Sequence, residues 1–175
     1  MANPTYTLIQ SVTLTTSTAT VTLGSGGTIP QNYTDLQILF SARTDRASQP
    51  ADDLQISFNG STSSFSQIRI YGTGSGAGSD SNYASGRQIG ITDGAGATSN
   101  TFGSFSLYIP NYAGSTYKSF STDSVSENNA TGAFQELSAS LWSSISAITS
   151  ISFTSTSATN FVAYSNFYLY GIKNS

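Results

Sequence analysis

Apolar residues along this chain recur at every second position, the spacing of a strand with one face turned inward. Leu36, Ile38, Phe40 and Ala42 alternate with Gln37, Leu39 and Ser41, and Leu54, Ile56 and Phe58 alternate with Gln55 and Ser57. Ala19, Val21 and Leu23 alternate with threonines, which suit a half-buried pleated surface. The pattern returns at Phe105, Leu107 and Ile109, at Leu137, Ala139 and Leu141, and at Ile151 and Phe153. No stretch reads as an amphipathic helix. Asn59-Gly60 offers the positive-φ pair of a tight turn, and Pro30 and Pro110 are placed to end strands. Residues 72–82 and 93–100, rich in Gly and Ser, read as long mobile loops; the first also reads as a flexible hairpin. These signals predict an all-β fold: a single antiparallel β-sandwich, jelly-roll-like, of about nine or ten strands. One domain covers residues 1–175.

The segment FVAYSNFYLYGI, residues 161–172, breaks the one-sided pattern. Phe161, Ala163, Phe167 and Leu169 fall on one face, and Val162, Tyr164, Tyr168, Tyr170 and Ile172 on the other. A strand apolar on both faces is either central in its sheet or covered by a partner. Tyr164, Tyr168 and Tyr170 are therefore candidate interaction residues.

Composition narrows the chemistry. The chain has no cysteine, which excludes disulfides and thiolate–metal sites. It has no histidine, which removes the usual general base, every Ser–His arrangement and the commonest metal ligand. Charged residues make up 9% of the chain, against about 25% in an ordinary soluble domain. A surface of hydroxyls is easily desolvated against a neighbour, which suits an assembly subunit. The net charge of −3 and the dispersed basic residues argue against a nucleic-acid surface. No apolar run reaches membrane-spanning length, and the opening MANPTYTLIQ lacks the pattern of a signal peptide.

Five of the fifteen charges lie in SARTDRASQPADD, residues 41–53: Arg43, Asp45, Arg46, Asp52 and Asp53. The stretch reads as a connection that leaves the strand ending at Ala42 and re-enters at Leu54. Arg43 and Arg46 can grip carboxylates in bidentate fashion, either those of Asp52 and Asp53 or those of a neighbouring subunit. An orienting loop, internal or intersubunit, is the expectation. Neighbouring side chains on a strand diverge, so Asp52 and Asp53 do not form an acid pair, and nothing in the spacing brings Glu127 and Glu136 together. Oxygen ligands for calcium could come from Asp52, Asp53 and Asn59 or from Asp123, Glu127 and Asn128, but neither set matches an EF-hand loop. Ser115-Thr116-Tyr117-Lys118 spells a serine–lysine pattern without its companion motifs. No catalytic residue, cofactor or metal site is assigned, and the chain is read as a non-enzyme. Ten tyrosines and Trp142 leave a sugar-stacking surface as the alternative.

Four stretches, YTDLQILFSARTDRA, DDLQISFNGSTSSFSQIRIYG, SLYIPNYAGSTYKSFSTDSVSENN and AITSISFTSTSATNFVAYSNFYLYGIKNS, together resemble small structural proteins of tailed bacteriophages, especially marine and cyanobacterial ones. The resemblance runs over residues 5–174 and is most specific before Phe58-Asn59-Gly60, at Ile109-Pro110-Asn111-Tyr112-Ala113-Gly114 and at Leu169-Tyr170-Gly171-Ile172. It implies a β-sandwich virion component, and most directly an outer capsid decoration or cement protein. Its implied partners are copies of itself, expected as a homotrimer by analogy, and other virion proteins, chiefly the major capsid protein. A tail or fibre component binding host-surface glycans is the alternative. Localisation in the virion, with assembly in the host cytoplasm, is implied as well.

Overall fold

A computed structural model describes residues 5–24, 26–81, 83–129 and 133–173. Among these, twelve strands are present: β1 (Tyr6–Thr13), β2 (Thr20–Leu23), β3 (Asp35–Ala42), β4 (Ala51–Phe58), β5 (Phe65–Gly72), β6 (Ala77–Ser81), β7 (Gln88–Asp93), β8 (Gly103–Pro110), β9 (Lys118–Glu127), β10 (Ala133–Trp142), β11 (Ile151–Ser155) and β12 (Asn166–Ile172). The one helical element among the described residues is a 3₁₀ turn, Tyr83–Gly86.

The strands form an eight-stranded sheet, β1-β12-β3-β8-β9-β10-β5-β6, and a four-stranded sheet, β2-β11-β4-β7, with every neighbouring pair antiparallel. The pairing is nested. β1 lies against β12, β2 against β11, β3 against β8 and β4 against β7. One long antiparallel ribbon, folded over so that alternate pairs fall in opposite sheets, generates this order, and that is the jelly roll. Two further hairpins, β5–β6 and β9–β10, extend the large sheet beyond β8. The expected all-β sandwich is therefore present, with more strands than the sequence pattern reveals. β6 reads AGSDS and has no large apolar residue to mark it, while β7 is buried at every position and so shows no alternation. In β1 a register shift between Leu8 and Gln10 interrupts the period.

The jelly-roll ribbon holds the main core. Phe40 stacks on Phe105 with ring centroids 4.2 Å apart and meets Phe153 and Phe167 at 5.2 and 4.8 Å. Leu36, Ile38, Leu54, Ile56, Leu107, Ile109 and Leu169 are fully buried around these rings. Each such side chain contributes about 1.5–3 kcal/mol by leaving water. A second aromatic group, Phe58, Phe65, Phe120 and Trp142, closes one end of the added hairpins. Gly90 sits at the bulge opposite Leu54 with φ 143°, where a Cβ would strike Phe105 and Ser124; its absence lets β7 lie close over β8 and β9.

Past that aromatic group the added hairpins reverse the usual polarity of a sheet. Their buried positions are Gln67, Thr122, Ser124, Ser126, Glu136, Ser138 and Ser140, joined by the partly buried Arg69. Their outward positions include Ile68, Ile70, Val125, Leu137 and Ala139. The apolar row Leu137, Ala139, Leu141 is thus the outer row of β10, and the serines between are the inner one.

Local turns follow their residue types. Asn59 and Gly60 take φ 53° and 74°, the expected positive-φ pair of a tight turn, which here carries the chain from β4 in the small sheet toward β5 in the large one. Pro110 ends β8, while Pro30 lies between β2 and β3. Half of the predicted loop 72–82 is strand β6. The stretch 93–100 is tied down instead of loose, as its contacts with Arg43 and Glu127 show below.

Candidate functional site

The charges of residues 41–53 do not form one connection. Asp52 and Asp53 belong to β4, so the connection proper spans 43–50. Thr44 and Arg43 continue from β3 as isolated bridges, Arg43 beside Asp93 and Thr44 opposite Phe161. That placement sends the Arg43 guanidinium over the loop after β7. It donates to the carbonyls of Thr98 at 2.7 Å, Thr101 at 3.1 Å, Ala97 at 3.1 Å and Ala95 at 3.3 Å. Among the described residues Arg43 therefore grips neither Asp52 nor Asp53; its planar fork of donors satisfies loop carbonyls instead. Glu127 fixes the same loop from the other side, accepting from the Thr98 and Asn129 backbone N–H groups. Partial burial would raise the Glu127 carboxyl pKa, but these hydrogen bonds outweigh it and hold it low.

Asp52 and Asp53 diverge as their spacing requires. Asp52 is fully buried, and its Oδ2 accepts from Thr44 Oγ1 and Ser155 Oγ at 2.8 Å each and from Thr159 Oγ1 at 2.6 Å. Arg46 Nη1 reaches Asp52 Oδ1 at 3.4 Å and Asp53 Oδ2 at 3.9 Å, so Arg46 takes the carboxylates of its own chain. Asp45 accepts from the backbone and side-chain N–H of Asn160, both at 2.8 Å. All five charges have partners within the chain.

Asp53 leads into a cluster that spacing alone could not reveal. Its Oδ1 accepts from Gln88 Nε2 at 2.8 Å, and the same Nε2 lies 3.4 Å from Glu136 Oε2. Arg69 Nη1 sits 2.8 Å from Glu136 Oε2 and 3.9 Å from Asp53 Oδ1, while its other edge holds Asp80 in a bidentate pair at 2.7 and 2.9 Å. The guanidinium also lies over the Tyr71 ring, 5.2 Å from its centroid. β4 and β7 of the small sheet are thereby joined to β5, β6 and β10 of the large one. Burial pushes the Asp53 and Glu136 carboxyls up, against the lowering charge of Arg69. Burial would lower the Arg69 guanidinium, but the Asp80 hydrogen bonds and the Glu136 charge raise it.

Two raised carboxyls beside a cleft of about 170 Å³ are the ingredients of general acid–base chemistry. Here Arg69 and Gln88 already engage both, and Glu136 is 2% exposed. The arrangement suits clamping two sheets together. Arg69, Glu136, Asp80 and Gln88 were missed in the sequence because β5, β6, β7 and β10 are brought together only by sheet order. The one local sign is a charge at the position between two isoleucines, Ile68-Arg69-Ile70.

The remaining candidates divide. Tyr168 and Tyr170 stand half-buried on the outer face of β12, a central strand between β1 and β3. Tyr164 is not in their row, because residues before Asn166 form a turn and not a strand. Trp142 is 3% exposed and packs on Phe58 and Phe65, so it is no sugar platform. Asn59 accepts from the Thr149 and Ser150 backbone N–H groups, a structural use of an atom considered for calcium. Among the described residues no group of three acidic side chains could hold a metal ion. Lys118 of the serine–lysine pattern is buried, donates to the Gly114 and Thr116 carbonyls, and is pushed down by burial.

The outer face of the large sheet carries a run of exposed apolar side chains. Ile68 and Ile70 are 63% and 55% exposed, and Leu39, Tyr108, Val125 and Leu137 are exposed beside them. Ile68, Ile70, Tyr108, Leu137 and Ala139 line an open groove of about 420 Å³. Asp123 is the charge placed among them on the outward rows of β9 and β10. Comparison of the chain with protein-family models, with curated protein sequences and with solved structures gives no match.

Proposed function

We propose that this chain is a non-enzymatic structural subunit of a phage virion, placed on the outer capsid as a decoration protein, and that it acts by burying the outer face of its large sheet against a second copy of itself. The observation that carries the reading is the reversed polarity of the added hairpins: isoleucine and leucine outside, serine, glutamine and glutamate inside. Sequences place large apolar side chains on an outer face where something covers it.

Charge selects the occupant. A partner that brought many charged groups onto a face whose carboxylates are Asp123 and Asp35 would leave most of them desolvated and unpaired. The same face of another copy brings mainly hydroxyls and apolar groups, with Asp123 and Asp35 as its carboxylates. The size is adequate too. Six strands from β12 to β5 at about 4.8 Å spacing, each roughly 27 Å long, give a footprint on the order of 650 Å², near the ~800 Å² per partner of a stable interface. The resemblance of the sequence to phage structural proteins and the jelly-roll topology agree with this role, though the fold by itself assigns none.

Sedimentation velocity over a concentration series tests it. The wild type is expected to associate, and Ile70→Glu to remain monomeric with an unchanged melting temperature. A wild type that stays monomeric to about 100 μM, near the millimolar end of weak association, sinks the self-docking reading. Immunogold labelling of particles tests the location: gold over the head agrees with decoration, and gold confined to the tail contradicts it.

A further inference from the structure

We infer that the turn at Tyr164 is a binding subsite for a neutral saccharide, with the Tyr164 ring as its stacking platform. Val162 O accepts from Ser165 N at 3.3 Å, closing a four-residue turn whose third residue, Tyr164, has φ 71°. Ala163 does not share the positive φ, which makes the turn type II. The third position of such a turn belongs to glycine or asparagine, because a side chain there crowds its own backbone.

The chain has no freedom to relax that conformation. Tyr164 N donates to Leu14 O at 2.8 Å and Leu14 N donates to Ser165 O at 2.9 Å, so the turn is pinned on both sides. The other positive-φ residues besides glycine are serines, asparagines and one alanine; Tyr164 is the aromatic among those described. Burial does not compensate the strain. Tyr164 is 75% exposed, the most exposed large apolar side chain among the described residues, and its hydroxyl has no hydrogen-bond partner among them. A bulky ring held where glycine would be relaxed, with no packing in return, points to a use outside the fold.

Its surroundings indicate the ligand class. Tyr164 borders a cleft of about 420 Å³ whose opposite wall carries Ser99, Asn100 and Phe102. Asn100 and Ser99 are exposed, and their side chains make no hydrogen bond among the described residues, leaving an amide and a hydroxyl to donate and accept. The cation in the cleft, Arg43, already commits its Nη donors to four loop carbonyls, so its fork is not open to grip an anionic ligand. Two rings, an amide and hydroxyls without an open guanidinium fork suit a ligand with an apolar C–H face and hydroxyl edges, which describes a pyranose. The wall is preorganised as well, since Arg43 and Glu127 fix the 94–101 loop before any ligand arrives.

The subsite is separate from the outer sheet face and does not require assembly. Saturation-transfer NMR with maltose, lactose and N,N′-diacetylchitobiose tests it on the whole chain. Transfer to sugar C–H protons is expected from the wild type, a loss of at least about fivefold in Tyr164→Gly, and retention within about twofold in Tyr164→Phe, which keeps the ring. The Ile70→Glu variant should retain the signal even if self-association fails. Tyr164→Gly should also leave the melting temperature unchanged or raised, since it relieves the turn. Absence of transfer to all three disaccharides, equal transfer to Tyr164→Gly, or a melting temperature lowered by more than about 4 °C in that variant would overturn the proposal.

Discussion

The jelly-roll ribbon and the hairpins added to it use the same sheet in opposite ways. In the ribbon, β3, β8 and β12 turn Phe40, Phe105 and Phe167 inward and hold them at stacking distance. In the hairpins, β5 and β10 turn Arg69, Glu136 and Ser138 inward and leave Ile68, Ile70 and Leu137 to the outside. The first region is held by burial, which is non-directional and tolerant of small shifts. The second is held by ion pairs and hydrogen bonds that must each find their partner, because a buried polar group left unpaired is costly. A sheet that spends its apolar residues outward forgoes core stabilisation there, and the observed network of Arg69, Asp53, Glu136, Asp80 and Gln88 stands in the place of a hydrophobic core.

The contrast can be broken most severely in the ribbon. Phe153→Ala removes a fully buried ring that touches Phe40 and Phe167, and should cost about 3–5 kcal/mol in chemical denaturation. A cost below about 1 kcal/mol would mean that the ribbon is not the stabilising region. In the hairpins, Arg69→Met strands Glu136 and Asp53 without their shared cation and should cost about 3 kcal/mol. Adding Glu136→Leu should restore much of that loss, since an apolar pair can replace a buried ionic one. A double variant no better than the single would place the effect in packing.

Acidity separates the regions without any substitution. The folded-state carboxyls of Asp53 and Glu136 are raised above their ordinary 3.8 and 4.5, so the folded chain holds protons that the unfolded chain releases. Their contribution is fully present below those ordinary values and is lost as pH rises through the raised ones. Asp80 and Glu127, held low, contribute above their ordinary values and lose that contribution as pH falls through their folded ones. Thermal stability should therefore rise modestly as pH falls from neutrality toward the ordinary carboxylate range, and decline further into acid. In a Glu136→Gln variant the rise should shrink; an undiminished rise would assign it to other groups. The smallest effect on folding is expected at the outer face, where Ile70→Glu should change stability by no more than about 0.5 kcal/mol while abolishing association.

Legibility in the sequence follows the same division. The strands of the ribbon were readable because Leu36–Ala42 and Leu54–Phe58 alternate cleanly, and the Asn59-Gly60 turn declared its own backbone. In β10 the alternation Leu137, Ala139, Leu141 was equally clean, yet it names a face and not the direction that face points. Periodicity has no sign when the partner sheet is not known. The contact of Arg46 with Asp52 was within reach because they lie six residues apart, whereas Arg69 and Glu136 are separated by sixty-seven. The fate of Arg43 was not: its acceptors are backbone carbonyls, which every residue carries and no sequence distinguishes.

By itself the sequence determined that this protein is an all-β sandwich, that Asp52 and Asp53 part company, and that the chemistry of cysteine and histidine is excluded. Those conclusions rest on local rules, the two-residue period of a strand and the inventory of side chains, and need no knowledge of what folds against what. Only the tertiary structure decided which face of the added hairpins is outside, that Asp53 and Glu136 share one arginine, and that Tyr164 occupies a glycine position in a turn. Each of these depends on strands distant in the chain, and the ordering of strands in two sheets is settled by the burial of the whole core rather than by any segment within it.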